Sequence, residues 1–532
     1  MNFKNILILF ALGLAMLSMN SCVDIETAPK NKFTDNNYWT SQLKAEAVLS
    51  MAYSQMFGSD YYFNNEILSD NAFNGRAGSN EYKIAMGIAD PSNGRFSGEW
   101  SSCYAGIKTC NMFLEKVDKV PDLKVETLNR LKAEARFIRA FLFYRLTNWY
   151  GDVPFFETSV TVEESQVILQ TPAADIKAWV HQEMEDIIQY LPTNLTQNAA
   201  DRGRITKGAA IAFNARAYLY DNDWANCEAQ CAKLIGSTTF GTYGLETSYS
   251  NIFQPDNEYN EEVILDMEYV NTYRTWDQMR DLAPLTAGAR LSNIAPTQEL
   301  VSSYRMLDGS VWSDGKGYEG RDLRMDATIV RDGSSWTTQT GENLTILTSN
   351  TSTTADAWAG ISSSNRSVTG YYYRKNFDKT SSTGSFFAGL NLILIRYADV
   401  LIMYAESLNE QGKMTEAFWN QTIKPLRERA GFDAAFCAYP AAPTKESLRL
   451  DIRQERRCEL ALEGTRVFDL RRWGKMDGSE TVVSGVLHGD KFASAGSAFI
   501  ELPPLNYDKF FFAIPLSQLD INKNLVQNEE YK

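Results

Sequence analysis

Helical periodicity limits the fold of this chain more than any other feature. It dominates the first 235 residues and returns from about residue 392 to 475. Apolar residues that recur every three or four positions indicate amphipathic helices with one face turned towards a core. We therefore expect a mainly α protein, with helices over 40–57, 98–118, 124–149, 174–190, 206–221, 224–235, 396–411, 414–430 and 444–464.

Two stretches repeat one helix–turn–helix register. "AYLYDNDWANCEA" begins at Ala217 and "AESLNEQGKMTEA" begins at Ala405, and in each an alanine recurs twelve positions later on the second helix. Small residues at such positions let two helices cross closely, as they do in tetratricopeptide hairpins. The pattern predicts a tetratricopeptide-like repeat scaffold.

The character of the chain changes between the two helical regions. From 236 to 391 the helical period fades, and Gly, Ser, Thr, Asn and Tyr dominate, with short extended pieces such as "EEVILDMEY" and "GYYYRK". A long excursion of this kind inside a helical protein is usually functional or disordered. We expect a helical scaffold over 22–235, a loop-rich ligand-binding excursion with a few short strands over 236–391, and completion of the scaffold by 392–532.

The N-terminus has the pattern of an exported lipoprotein. Lys4 precedes an apolar run, Ile6 to Leu17, that is too short to span a membrane comfortably. "LSMNSC" then ends at Cys22, which we expect to be lipidated after removal of a signal peptide over 1–21. The alternative is an ordinary secretory signal with an incidental cysteine. A lipidated cysteine carries several acyl chains, which is enough for stable anchoring.

Composition excludes several classes of function. The net charge of −14 argues against nucleic acid as a partner, because such binding depends on Lys and Arg neutralising phosphates. Six cysteines besides Cys22 have spacings that favour buried free thiols over disulfides; Cys103 and Cys110, for example, lie about 10 Å apart along one helix. With only His181 and His488 present, no zinc site is predicted. We expect no cofactor, and a structural calcium ion is left open although no EF-hand spacing occurs.

Several motifs in order carry a resemblance to one family. "AEARFIRAFLFYRLTNWYGDVPFF" (133–156) resembles the starch-utilisation SusD proteins and their RagB relatives. Further matching motifs are "GRITKGAAIAFNARAYLYDNDW" (203–224), "PTQELVSSYRMLDGS" (296–310), "GRDLRMDATIV" (320–330, with Leu323 where proline is common), "TGYYYRK" (369–375), "LIRYADVLIMYAESLNEQG" (394–412), "RQERRCELALEGTRVFDLRRW" (453–473) and "FAIPLSQLDINKNLVQNEEY" (512–531).

The resemblance implies a SusD-like fold and a definite role. The protein would sit on the outer membrane, anchored by lipid at Cys22 and exposed at the cell surface. It would capture an oligo- or polysaccharide and pass it to a SusC-like, TonB-dependent β-barrel transporter, for which it acts as a lid. No catalytic residue is implied.

Paired glutamates raise the alternative of a surface hydrolase. Glu455 and Glu459 lie four residues apart on one helix, as the two carboxylates of a glycosidase could. Arginines surround them in the sequence, and arginines lower carboxylate pKa values, which makes poor general acids. We interpret this pair, and Glu406 with Glu410, as structural ion pairs. The missing nucleophile motif also argues against a hydrolase.

The binding residues are therefore expected in loops. A sugar ring needs a flat aromatic under its C–H face and Asn, Asp or Arg around its hydroxyl groups. Two regions, 60–100 and the excursion, combine these residue types. The candidate ligand-binding residues are Asn71, Arg76, Tyr82, Tyr273, Trp276, Trp312 and Trp358, whereas Trp100 and Trp336 fit a core better.

Two alternative interpretations of the sequence stay open. One is peptide capture, which some RagB-like relatives are thought to perform and which would need pockets of mixed charge. The other is a pure interaction scaffold of helical repeats, in which the aromatic excursion would have no purpose. The aromatic and Asn-rich loops favour sugar.

Overall fold

The computed structural model describes residues 38–196, 201–349, 352–358, 365–477, 484–491 and 498–532. The predicted signal segment and Cys22 lie outside these residues. The α-helices are α1 Gln42–Met56, α2 Ser59–Asn64, α3 Asn80–Ala85, α4 Gly94–Lys116, α5 Val125–Tyr150, α6 Val162–Ser165, α7 Ala173–Ile187, α8 Lys207–Tyr220, α9 Trp224–Leu234, α10 Gln298–Ser303, α11 Arg324–Thr328, α12 Tyr397–Glu410, α13 Glu416–Gln421, α14 Ile423–Arg429, α15 Ala434–Cys437, α16 Lys445–Glu459, α17 Arg466–Asp477 and α18 Leu516–Ile521.

The strands are short and pair two by two. They are β1 Ala72–Asn74, β2 Val153–Pro154, β3 Gln170–Thr171, β4 Val263–Met267, β5 Ile294–Pro296, β6 Ile329–Val330, β7 Ser335–Thr337, β8 Asn343–Thr345, β9 Tyr372–Tyr373, β10 Leu392–Arg396, β11 Ser484–Gly485, β12 His488–Gly489, β13 Ile500–Glu501 and β14 Leu505–Asn506. The antiparallel pairs are β1–β5, β2–β3, β4–β10, β6–β9, β7–β8, β11–β14 and β12–β13.

The long helices pack in sequence as a layered scaffold. α1 and α5 flank α4, α7 and α8 follow, and α9, α12 and α16 complete the stack. Alanines that are fully buried, such as Ala210 and Ala217 of α8, let neighbouring helices approach closely. The mainly α, tetratricopeptide-like fold that the sequence predicts is confirmed.

A glycine ends α5. Gly151 follows α5 with φ 73° and ψ −123°, a region that only glycine adopts without strain. The chain then turns into Pro154 of β2, which pairs with β3. The helix stops at this position because Gly151 reverses the backbone.

Replacing Gly151 by alanine should destabilise the protein by about 2 kcal/mol, because an L-residue is strained at these angles. Gly412→Ala is the matched control, since Gly412 has φ +69° and open space around the added Cβ. That control should lose about 1 kcal/mol. Urea unfolding measures both values. Equal losses would show that the turn at Gly151 tolerates a side chain.

One predicted helix is broken and another was missed. The stretch 414–430 forms α13 and α14, which are separated at Thr422. Pro425 cannot donate to the carbonyl of Gln421 and its ring crowds that carbonyl, so one continuous helix cannot form. The missed helix, α17, is separated from the end of α16 by six residues. Its Arg466 and Arg472 form ion pairs with distant carboxylates, so charged residues interrupt the apolar period of the helix.

A second hydrophobic core forms beneath the excursion. Trp336 is 1% exposed and Tyr371, Tyr372 and Tyr373 are fully buried there. Cys458 of α16 and Leu462 just after it belong to the same core, so scaffold and excursion share it. Both cores contain residues from the scaffold and from the excursion. The division of the chain into separate regions at residues 236 and 392 therefore stays a prediction.

A buried network of ion pairs joins the excursion to the scaffold. The Arg396 guanidinium is fully buried and lies 2.6 Å from Glu262, 2.5 Å from Glu459 and 2.8 Å from Glu463. Arg324 lies 2.5 Å from Glu455 and 2.7 Å from Glu459. Burial opposes ionisation of Glu459, but Arg429, Arg396 and Arg324 hold its pKa well below the usual value.

This network confirms the structural interpretation of the paired glutamates. A carboxylate held ionised by three arginines is a poor proton donor at neutral pH. Glu406 follows the same rule: burial opposes its charge, yet Arg472, at 2.7 Å, lowers its pKa. Glu410 pairs with Arg449 at 2.6 Å.

The described cysteines are buried, and the histidines contact neighbouring side chains. All six cysteines within the described ranges are buried and free, as predicted. His181 stacks on Tyr218 with ring centroids 3.6 Å apart, and His488 lies 2.7 Å from Glu299. In the described part of the chain, no group of three or more His, Cys, Asp or Glu residues could hold a metal ion.

Candidate binding clefts

A cleft of about 420 Å³ is lined by aromatic rings and carboxylates. We call it the aromatic cleft. Its lining residues are Trp312, Asp314, Gly315, Gly317, Tyr318, Asp332, Ser349, Asp490, Lys491 and Phe499. Three separate parts of the chain build it: the loop 306–321, the residues around β6 to β8, and the β12–β13 hairpin.

The loop 306–321 holds the first wall in place. Its base is closed by the pairing of Met306 with Arg321. The Trp312 indole donates to the Gly317 carbonyl at 2.8 Å, which fixes the ring across the loop. Gly315 and Gly317 have positive φ, so the loop can turn tightly enough to bring Trp312 and Tyr318 to one side.

Guanidinium groups support the two rings. Arg321, which is buried, lies 4.8 Å from the centroid of Trp312, and Arg331 lies 4.4 Å from the centroid of Tyr318. Such cation–π contacts orient a ring. Each ring is held by a guanidinium while both line the cleft, as a sugar platform requires.

The opposite wall supplies hydrogen-bonding groups. Asp490 and Lys491 follow β12, and Phe499 precedes β13. The Asp490 carboxylate lies 3.2 Å from the Tyr318 hydroxyl, which is itself 3.1 Å from the hydroxyl of Tyr371. Lys491 pairs with Asp314 across the mouth of the cleft. Aromatic faces and polar groups therefore meet in one cleft.

Burial changes the ionisation of these groups. Burial raises the pKa of Asp490 to about 6. Burial and the neighbouring Asp490 carboxylate also raise the pKa of the Tyr318 hydroxyl above its usual value. The Tyr318 hydroxyl therefore stays protonated and can donate to Asp490 or to a ligand.

Asp490→Asn should change how stability depends on pH. The Asp490 pKa is raised on folding, so its stabilising proton is present at low pH and is lost as pH rises from about 4 through 6. Between pH 4 and 7 the free energy of unfolding of the wild type should fall by about 2 kcal/mol relative to that of the variant. Urea unfolding at a series of pH values measures this. Asp314→Asn, at the exposed mouth, is the control and should change the profile by less than about 0.5 kcal/mol.

A second, polar cleft of about 280 Å³ lies between α2, the loop after β1, and the residues before β5. Its only aromatic lining residue is Phe63, which is 1% exposed. Arg76 and Arg280 meet Asp60 and Asp277 here, and Arg280 pairs with Asp277 at 2.8 Å. This polar cleft offers mixed charge without an aromatic platform.

The predicted binding residues divide into three groups. Trp312 lines the aromatic cleft and Arg76 lines the polar cleft. Asn71 and Trp276 are instead buried, at 1% and 3% exposure. Tyr82, Tyr273 and Trp358 lie outside both clefts.

The side chains of Asn71 and Trp276 make structural contacts. Their prediction as ligand-binding residues is therefore wrong. The Asn71 amide donates to Glu66 at 3.1 Å and accepts from Arg457 at 3.0 Å. The Trp276 indole donates to the Leu390 carbonyl at 2.7 Å and packs on Phe63. Neither side chain presents a free surface to a ligand.

The other three candidates differ in exposure. Tyr82 is half-buried and packs edge-on against Phe73, with centroids 6.1 Å apart. Trp358 is half-buried beneath Arg366, 4.5 Å from its ring centroid. Tyr273 is 90% exposed on the tight loop between Val270 and Arg274. The structure does not bring these three together.

Of the residues that line the aromatic cleft, the sequence predicted only Trp312. Tyr318 could have been found from its place six residues after Trp312 in the same Gly-rich loop. Asp490, Lys491 and Phe499 gave no local signal, because they lie far along the chain and reach the cleft only through the β12–β13 pairing.

Comparison with known proteins places the chain in a family. Residues 261–531 match the model of the SusD family. The chain belongs to the SusD family. Residues 24–219 match a second SusD-like model, described as starch-binding associating with outer membrane.

Individual SusD-like relatives agree with this assignment. SusD-like protein P25 of Formosa agariphila is 25% identical, over 89% of this chain and 90% of its own length. The starch-binding protein SusD of Bacteroides thetaiotaomicron is 26% identical, over 82% and 78%. A solved SusD-like carbohydrate-binding protein from Bacteroides fragilis superposes with a TM-score of 0.81 at 27% identity, covering 92% of this chain and all of that one. Among the described residues, no helix is long and apolar enough to cross a membrane.

Proposed function

We propose that this protein is a cell-surface lipoprotein that binds an oligo- or polysaccharide in the aromatic cleft and delivers it to a SusC-like, TonB-dependent transporter of the outer membrane. The observation that carries the proposal is the meeting of Trp312, Tyr318 and Phe499 with three aspartates in one cleft. Aromatic faces with a polar surround suit the two kinds of surface on a sugar ring.

The family supports the location and the ligand class. Relatives named as starch-binding or carbohydrate-binding are similar to this chain over most of its length. The lipobox ending at Cys22 would supply the anchor, and acyl chains, not a spanning helix, would hold the protein at the outer membrane. Binding without catalysis also fits Glu455 and Glu459, which arginines hold in ion pairs.

Peptide capture is a second candidate, favoured by one observation. The polar cleft presents Arg76 and Arg280 beside Asp60 and Asp277. In the described part of the chain the Arg76 guanidinium has no hydrogen bond or ion pair, so it is free to bind a carboxylate. A peptide has both charges and would suit such a cleft better than a neutral sugar.

Calorimetry of the mature chain against soluble polysaccharides and a tryptic peptide mixture separates the two candidates. We expect at least one neutral glycan to bind with a Kd between micromolar and millimolar, and the peptides to show no heat of binding. Binding of peptides alone, lost in Arg76→Ala, would overturn the glycan proposal. Absence of any binding would overturn both.

A further inference from the structure

Exposed aliphatic side chains concentrate in two segments on the scaffold side of the molecule. Val162, Val167 and Leu169 are 61–67% exposed, and Ile521 and Val526 are 55% and 59% exposed. We call these five residues the aliphatic rim. Contiguous exposed apolar surface on a protein usually marks a contact with a partner.

The rim is held in a fixed arrangement. Side chains of the C-terminal segment bind the backbone of the other segment: the Asn522 amide donates to the Ile168 carbonyl and the Asn524 amide to the Val167 carbonyl, both at 2.8 Å. The Gln170 side chain in turn accepts from the Val526 backbone at 2.7 Å. The apolar side chains are therefore exposed by an ordered structure, and their exposure does not come from loose ends of the chain.

The rim borders a groove of about 510 Å³. One wall of the groove is α4, through Tyr104 and Lys108. The other includes Val162 and Ile521 of the rim, with Ile168 and Leu525. Trp100 at its base is only 4% exposed, and Tyr104 stacks on Phe156 at 5.9 Å. The groove lining thus combines aliphatic side chains with the half-buried rings of Tyr104 and Phe156 and with polar groups, whereas the rim above it is aliphatic.

The charge of the rim segments is strongly negative. Residues 152–170 and 516–526 contain five carboxylates against one lysine, which gives a net charge of −4. Glu163 and Asp520 stand directly beside rim residues. An anionic membrane surface would be repelled by this charge, and the exposed aliphatic side chains of the rim offer a glycan neither a ring to stack on nor a hydrogen-bonding group.

We propose that the groove and its aliphatic rim form a protein-docking surface for a polypeptide segment that carries aliphatic and basic side chains. The aliphatic groups would fill the groove and the basic groups would pair with the carboxylates around it. The proposal rests on the proposed function in one respect: a protein that delivers a ligand to a transporter needs a partner-facing surface apart from its ligand clefts.

The test uses the mature chain and a fluorescent 16-residue synthetic peptide of leucine and lysine. Anisotropy titration should give saturable binding. The triple variant Val167→Ser, Leu169→Ser, Ile521→Ser should bind at least about tenfold more weakly. The control Leu43→Ser, Val125→Ser, Leu450→Ser removes three equally exposed aliphatic residues elsewhere and should bind like the wild type.

Charge is tested by a second pair of changes. Glu163→Gln with Asp520→Asn keeps the apolar surface and should weaken both the binding and its salt dependence. A matched peptide of leucine and glutamate should not bind. Glycan titration of the triple variant should match the wild type, which keeps failure of the docking surface distinct from failure of the ligand cleft.

Three results would each overturn the docking proposal: equal binding by the two triple variants, equal binding of the acidic peptide, or no binding of the basic peptide at all. A different result would assign the rim to a lipid surface. In that case neutral phosphatidylcholine vesicles would bind the wild type but not the rim variant, while the basic peptide would bind both equally.

Discussion

Arg396→Met should destabilise the protein by about 3–5 kcal/mol, the largest loss that we expect from a single substitution. The arginine is fully buried and contacts three carboxylates, Glu262, Glu459 and Glu463. Methionine fills a similar volume but leaves Glu262 with Arg429 alone and Glu463 with Lys375 alone. The cost comes from buried negative charge that loses its main partner.

Arg290→Met is the matched control for this change. Arg290 also pairs with a carboxylate, Asp281, at 2.9 Å, but its side chain is 54% exposed. Exposed pairs contribute about 1 kcal/mol or less. Urea unfolding of both variants measures the difference. A loss in Arg396→Met no larger than in Arg290→Met would show that the network does not hold the excursion on the scaffold.

Trp312→Ala should weaken glycan binding by about 2 kcal/mol or more, which is about thirtyfold. The indole supplies the platform of the aromatic cleft, and alanine removes the face on which a sugar ring would stack. Trp312→Phe keeps a ring and should recover much of the affinity. Calorimetry with the tightest glycan of the panel measures all three proteins.

Tyr273→Ala is the control for Trp312→Ala, since Tyr273 is 90% exposed but lies outside both clefts. It should bind like the wild type. Equal circular dichroism spectra would establish that both variants are folded. If Tyr273→Ala loses binding and Trp312→Ala keeps it, the site lies at the 270–274 loop and not in the aromatic cleft.

The helices could be predicted because their signal is local. α5 can be predicted from its apolar period and from the turn at Gly151 alone, and both are visible in "YRLTNWYGDVP". The break at Thr422 was also visible, in Pro425, but the apolar period around it is continuous. α17 was missed because its Arg466 and Arg472 make ion pairs with distant carboxylates that no local pattern indicates.

The binding residues were harder to predict because burial depends on distant contacts. Trp276 and Trp312 stand in similar polar surroundings in the sequence. Pairing with Ala388 carries Trp276 into the core, while Gly315 and Gly317 turn the loop so that Trp312 stays at the surface. The wall formed by Asp490 and Phe499 comes from about 180 residues further along the chain. Composition alone cannot indicate that residues so far apart in the sequence line one cleft.

The most direct test of the account is a crystal structure of the mature chain with the tightest-binding oligosaccharide of the panel. The account predicts a sugar ring stacked on Trp312, within hydrogen-bonding distance of Asp490 or Tyr318. A ligand seated against Arg76 and Arg280 in the polar cleft, with the aromatic cleft empty, would contradict it.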